Sequence, residues 1–442
     1  MNKKLTDFLD KYKISVLEDL KNAIICHGKN LPVEFVYEAA EYLNPNREST
    51  AAYYTDRMIC DYIFKQLPDF DDKDSLVVVE PSVGAGNFLP YVAEKYKSKK
   101  MLEINIIDID DNELKIAELI FETYYREKYP NVAIRYWHDD YLLIDVSGRK
   151  FDLVIGNPPY SKIKDKALLA KYKKKSEIKK SSNLFALFLE KAMSDAICVS
   201  LIIPKSLLNA PEYEELRDII KSKQIMSIID FGENGFKGVK IETINIMVNT
   251  EARQSETYIE SITLKKILIQ EQAYITDSKY PSWLIYRNED FDKFADSLQL
   301  GMFRAFRDRQ IVSRMLIDKG KYRVLKSRNI GDRKITNIQG YDKYIDSADG
   351  LAVGKYLNAI NIVLVPNLSY APRACMLPRD TLADGSVALL ENITSHEIKE
   401  ADLAVFASEE FKQYYRVARN YGTRSLNIDN NSVHFFGVWR KN

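Results

Sequence analysis

The chain has 442 residues, 46% hydrophobic and 29% charged, with a formal net charge of +1. That is the composition of a soluble globular protein of two or three domains. No window approaches the ~20 consecutive apolar residues of a membrane span, and the charged start MNKKLTDFLDKYK does not read as a secretory signal. Four scattered cysteines (Cys26, Cys60, Cys198 and Cys375), with no CxxC and no Cys/His pair at zinc spacing, predict a reducing, cytoplasmic setting and no structural metal.

Residues 1–46 read as helical. LTDFLDKYKISVLEDLKNAI carries apolar residues at helical spacing, and PVEFVYEAAEYL opens on Pro32. From residue 76 strands and helices alternate. The strands are SLVVVE, EINIIDID, VAIRYW, FDLVIG, CVSLIIPKS, QIMSIIDF and IETINIMVNT. Helices are predicted over NFLPYVAEKYKSKK, DNELKIAELIFETYYREKY, SNLFALFLEKAMSDAI and PEYEELRDIIKSK. This rhythm predicts an α/β doubly wound, mostly parallel sheet with apolar strands buried on both faces. The missing helix before the last strand predicts one antiparallel member. The polar stretch NTEARQSET (249–257) reads as a boundary, and beyond it the rhythm is lost.

Three carboxylates fall at the first three strand ends. Glu80 precedes the turn PSVGAG, in which Gly84 and Gly86 allow a tight turn and close ligand approach. Asp108 ends the second strand, where such folds hold ribose hydroxyls. Asp139 or Asp140 ends the third. The third glycine of a dinucleotide fingerprint is absent, which disfavours a pyrophosphate. A nucleoside with a cationic tail fits better, and S-adenosylmethionine has that chemistry. The competing reading is that acidic residues simply collect at exposed strand ends.

The fourth strand ends in Asn157-Pro158-Pro159-Tyr160. The Asn157 amide oxygen and the Pro158 carbonyl can both accept from one amino group, and Tyr160 offers a flat face for a planar substrate. In this order the motifs resemble the adenine-N6 DNA methyltransferases of the gamma motif order, over about Thr50 to Val248. The resemblance implies a seven-stranded Rossmann-like methyltransferase sheet at 49–250. A helical extension (1–48) precedes it and a mixed α+β target-recognition domain (256–442) follows. It implies S-adenosylmethionine contacts from Thr55, Glu80, Ser82, Gly84, Gly86, Asp108, Ile109, Asp140, Tyr141 and Asn157. Asp140 would read the cofactor's adenine amino group, with Ile109 and Tyr141 beside the ring. Catalysis would fall to Asn157, Pro158, Pro159 and Tyr160, with Tyr160 and Phe236 (or, failing that, Phe231) stacking on a flipped adenine.

Nine lysines lie between 162 and 180. They could bind the DNA backbone, with Lys173, Lys174 and Lys175 as candidates, or form a solvated loop. Residues 301–442 hold 22 Lys+Arg against 15 Asp+Glu, thirteen of the former arginine. Arg373, Arg424 and Asn427 there have side chains able to read base edges. The expected partner is double-stranded DNA, with the chain a monomer or weak dimer. No nuclease motif is evident, so a cognate restriction endonuclease would be a separate protein. The alternative is a protein-glutamine or RNA methyltransferase using the same Asn-Pro-Pro-Tyr motif. A non-enzymatic DNA-binding subunit is disfavoured by the intact motif.

Overall fold

The computed structural model describes residues 3–44, 57–146, 150–233, 241–367, 372–423 and 427–440. The chain divides into two compact units, Met1–Leu207 with Glu212–Ala273, and Leu208–Pro211 with Tyr274–Asn442.

The first unit opens with three helices, Lys3–Tyr12, Leu17–His27 and Val33–Leu43. The single long helix expected at the start is broken. Lys13 takes a left-handed φ of 55°, and the Asp19 carboxylate then caps the second helix by accepting from the Ser15 and Val16 amides. Leu20, Ile24, Val36, Ala39 and Ala40 pack with Ile116 and Ile120 of helix Asp111–Tyr124. The extension therefore shares its core with the sheet's own helical layer.

The seven expected strands are present: β1 (Ser75–Pro81), β2 (Met101–Asp108), β3 (Val132–His138), β4 (Phe151–Gly156), β5 (Ala196–Pro204), β6 (Gln224–Gly232) and β7 (Thr243–Asn249). Their order is β3-β2-β1-β4-β5-β7-β6, and β7 runs antiparallel to both neighbours. β1 and β4 run parallel, but the order in which strands are added reverses between them, which opens the crevice where doubly wound sheets bind ligands.

The sheet does not stop at seven strands or at residue 250. β8 (Glu256–Ser261) adds parallel to β6, and β9 (Lys266–Glu271) pairs antiparallel with β8. The stretch that marked a boundary in the sequence holds the turn between β7 and β8, and among the described residues the sheet has nine strands. The second unit holds a four-stranded sheet, a three-stranded sheet and a two-stranded pair. An aromatic cluster that includes Tyr280, Phe291, Tyr414 and Phe435 packs within it. Among the described residues no helix is long and apolar enough to cross a membrane.

Candidate active site

Strand register sets the site. Glu80 pairs with Ile106 across β1 and β2, and Asp108 pairs with His138 across β2 and β3. Val79 pairs with Val154 of β4. The ends of β1, β2, β3 and β4 therefore share one sheet edge, with Glu80, Asp108, Asp140 and Asn157 along it.

The loop after β1 is tightly folded. Ser82 holds φ 63°, Gly84 53° and Gly86 79°. A Cβ on Gly86 would stand 2.9 Å from Leu89 Cδ1 and 3.0 Å from Ala117 Cβ, so glycine is needed there for both conformation and space. A Cβ on Gly84 would meet nothing within 4 Å. Ser82, which is not glycine, carries strain at the loop's entrance. The Gly84 amide donates to Asp108 Oδ2 at 3.1 Å, and the Asp110 amide donates to Oδ1 at 3.0 Å. Asp108 thus ties the glycine loop to the end of β2. Burial raises its carboxyl despite these two bonds. Ile109, next in line, is 67% exposed and open to a ring.

Glu80 is buried, and its Oε2 has no hydrogen-bond partner among the described residues. Burial, then the Asp108 charge, push its carboxyl well above the ordinary range. An orphaned buried acceptor beside a close-approach loop fits a ligand that brings a donor. A raised carboxyl stabilises the fold below its unfolded value and loses that contribution as pH rises toward the folded one. Glu113, pushed up to about 8 by burial and then by Asp108, acts in the same direction. Glu80→Gln is therefore expected to gain stability over the wild type as pH goes from 5 to 8 without ligand. The melting difference should widen by at least about 2 °C, the worth of ~1 kcal/mol in a domain this size. A pH-independent difference would contradict this.

The Asn-Pro-Pro-Tyr segment departs from expectation in one respect. Tyr160 is not an exposed plate, being 7% exposed. Its hydroxyl lies 2.6 Å from Asn157 Oδ1 and 3.1 Å from the Ile202 carbonyl, and its ring meets Phe185 edge-on. Its single proton serves the nearer acceptor, which fixes the orientation of the Asn157 amide. An amide oxygen has two lone pairs, so this bond does not exhaust it. Asn183 holds the segment from the other side. It caps helix Leu184–Asp195 through Oδ1 to the Phe185 amide, and its Nδ2 donates to the Tyr160 carbonyl at 2.9 Å. The Ser-Ser-Asn run before an apolar stretch signals the cap, but nothing in the sequence signals the second bond.

Tyr141 also departs from expectation. It is buried, with its hydroxyl donating to Asp195 Oδ2 at 2.9 Å and Lys191 Nζ 5.1 Å from its ring centroid. The side chain is spent on packing against helix Leu184–Asp195. Phe231, at 1% exposure inside β6, presents no open face. Thr55, Phe236 and Arg424 lie outside the described residues.

The lysine segment contains a helix, Lys166–Lys175, capped by Asp165. Lys173 is not available to a phosphate. Its Nζ donates to the Ile178 carbonyl at 2.6 Å and to the Ser181 carbonyl, and burial lowers its pKa. Lys175 Nζ donates to the Leu143 carbonyl at 2.6 Å, and Lys180 pairs with Glu214. Lys174 is exposed. The segment is thus largely bonded into the fold, which neither sequence reading foresaw. In the second unit Arg373 Nε donates to the Ile330 carbonyl at 2.6 Å, a structural use. Asn427 is exposed, and its Oδ1 accepts from Asn367 at 2.8 Å.

The strand order, with its reversed β7 and its strand-end carboxylates, defines a methyltransferase-type doubly wound sheet. Residues 86–236 match the family model described as Eco57I restriction-modification methylase. Over 259 residues the chain is 24% identical to Modification methylase CviBIII of Paramecium bursaria Chlorella virus NC1A, covering 57% of this chain and 64% of that protein. It is 27% identical over 249 residues to Type II methyltransferase M.VspI of Vibrio sp. (strain 343), covering 55% and 58%. These alignments thus span roughly three fifths of each relative's length. Its fold is similar to that of the type IIL restriction-modification enzyme MmeI, solved in complex with DNA. The TM-score is 0.57 at 13% identity, over 91% of this chain and 70% of that one.

Proposed function

We propose that this chain is a site-specific DNA adenine-N6 methyltransferase of a restriction–modification system, acting with S-adenosylmethionine on an adenine flipped out of the duplex. The observation that carries the reading is the common sheet edge of Glu80, Asp108, Asp140 and Asn157, built on the strand register. The modification methylases among its relatives support it.

The residues present fit the cofactor. Glu80 offers an unpartnered buried oxygen, Gly84 leaves open space above the turn, and Ile109 an exposed apolar face. S-adenosylmethionine would supply a methyl group on a sulfonium. Asn157 Oδ1 and the Pro158 carbonyl accept from the target amine, drawing its lone pair out of ring conjugation toward the electrophile. Tyr160 holds the Asn157 amide in that orientation. Flipping the adenine costs a few kcal/mol.

Methylation-sensitive sequencing of DNA from a host expressing the chain tests the proposal. N6-methyladenine in one sequence context is the expected result, and unmodified DNA would refute it. Since Lys173 and Lys175 are bonded internally, the segment's contribution to DNA affinity rests on exposed lysines such as Lys174. Lys174→Glu is expected to weaken binding across all sequences and to lower the salt slope by about 1. Salt titration of binding reads this directly, and an unchanged slope would assign Lys174 to solvent.

A further inference from the structure

Tyr172 sits within the lysine helix yet is only 7% exposed, while Lys171 and Lys174 on the same helix are exposed. Its hydroxyl donates to Asp140 Oδ2 at 2.6 Å, and the Leu142 amide donates to Oδ1 at 3.0 Å. Each carboxylate oxygen is held by one donor, so the plane of the group is fixed. The helix is pinned to the same loop a second time, by Lys175 Nζ on the Leu143 carbonyl. Its end is secured by Lys173 on Ile178 and by Ser176 Oγ, 2.5 Å from Glu190 Oε2.

We propose that Tyr172 is a positioning residue for the base end of the cofactor pocket, orienting the Asp140 carboxylate so that it accepts from the exocyclic amino group of an adenosyl ligand. The inference rests on the reading of Asp140 as the adenine-facing carboxylate. A carboxylate oxygen accepts more than one hydrogen bond, so the tyrosine donor leaves capacity for the amino group. The neighbouring lysines then have a structural task, which is to hold Tyr172 against the loop after β3.

The test compares two ligands on the full chain by titration calorimetry. S-adenosylhomocysteine carries the amino group, whereas S-inosylhomocysteine carries a carbonyl in its place. The wild type is expected to prefer the adenosyl ligand. Tyr172→Phe keeps the ring and loses one donor. It is expected to weaken the adenosyl ligand about five- to tenfold, the size of one ordinary hydrogen bond. The inosyl ligand should change by less than about twofold, so the preference narrows. Lys171→Met, an exposed change on the same helix, is expected to leave the preference intact. Equal losses for both ligands in Tyr172→Phe, or no loss, would overturn the positioning role. A wild type that binds both equally would remove Asp140 from base reading, and one that binds neither would refute the cofactor reading itself.

Discussion

Asn157→Ala is expected to abolish nearly all methyl transfer while leaving cofactor affinity within about twofold of the wild type. Removing one preorganised polar group from a reacting centre costs roughly 10²–10³ in rate. Here the loss should lie toward the upper end, because the variant also frees the Tyr160 hydroxyl from the bond that fixes it. Single-turnover methylation with saturating cofactor separates the chemical step from binding. A companion variant, Tyr160→Phe, keeps the ring against Phe185 and removes only the hydroxyl. It should fall between the wild type and Asn157→Ala. Full activity in Asn157→Ala would dismiss the segment as the catalytic fork.

The largest expected effect on stability lies one strand away. Lys205, just after β5, and Asp230, near the end of β6, form an ion pair at 2.6 Å with side chains 3% and 1% exposed. Both have further ties, the Lys205 amide to the Glu242 carbonyl and Asp230 Oδ1 from the Gly232 amide. Removing one member of such a pair strands the other charge away from water, at a cost of roughly 3–5 kcal/mol. Lys205→Met is expected to lose about that much in urea unfolding. Lys205→Met with Asp230→Leu should recover most of it, since two apolar groups leave no buried charge. Additive losses in the double variant would show that the two side chains act independently. The pair also braces the residues on either side of the 234–240 stretch, which contains Phe236.

Much of the sheet was legible in the sequence because its central strands are buried on both faces. β4, for example, is buried along its whole length, and its sequence is apolar apart from Asp152, which pairs with Lys73. Once the strands are placed, their ends follow, and with them Glu80, Asp108, Asp140 and Asn157. What could not be read was the partner each side chain chooses. Tyr172 finds Asp140 across 32 positions and Tyr141 finds Asp195 across 54. No local spacing encodes such choices. A tyrosine among lysines looks like surface, and a tyrosine after a strand-end aspartate looks like a ligand contact. β9 escaped notice because its side chains alternate between exposed and half-buried, as an edge strand's do, so it lacks the apolar continuity of the central strands.

The nine-stranded sheet bears on any attempt to dissect the chain. A fragment cut at residue 250 would look complete by its motifs, yet it would strip β8 from the flank of β6. It would leave unpaired the backbone groups of Ser227 to Asp230 that face Tyr258 to Ser261. It would also remove Gln272, whose side chain accepts from the Ile225 amide and donates to the Lys223 carbonyl. An apolar strand opened in this way is a template for self-association. Fragments ending after Ala273 should remain dispersed where those ending at 250 precipitate, so the smallest workable fragment is set by an edge rather than by a motif.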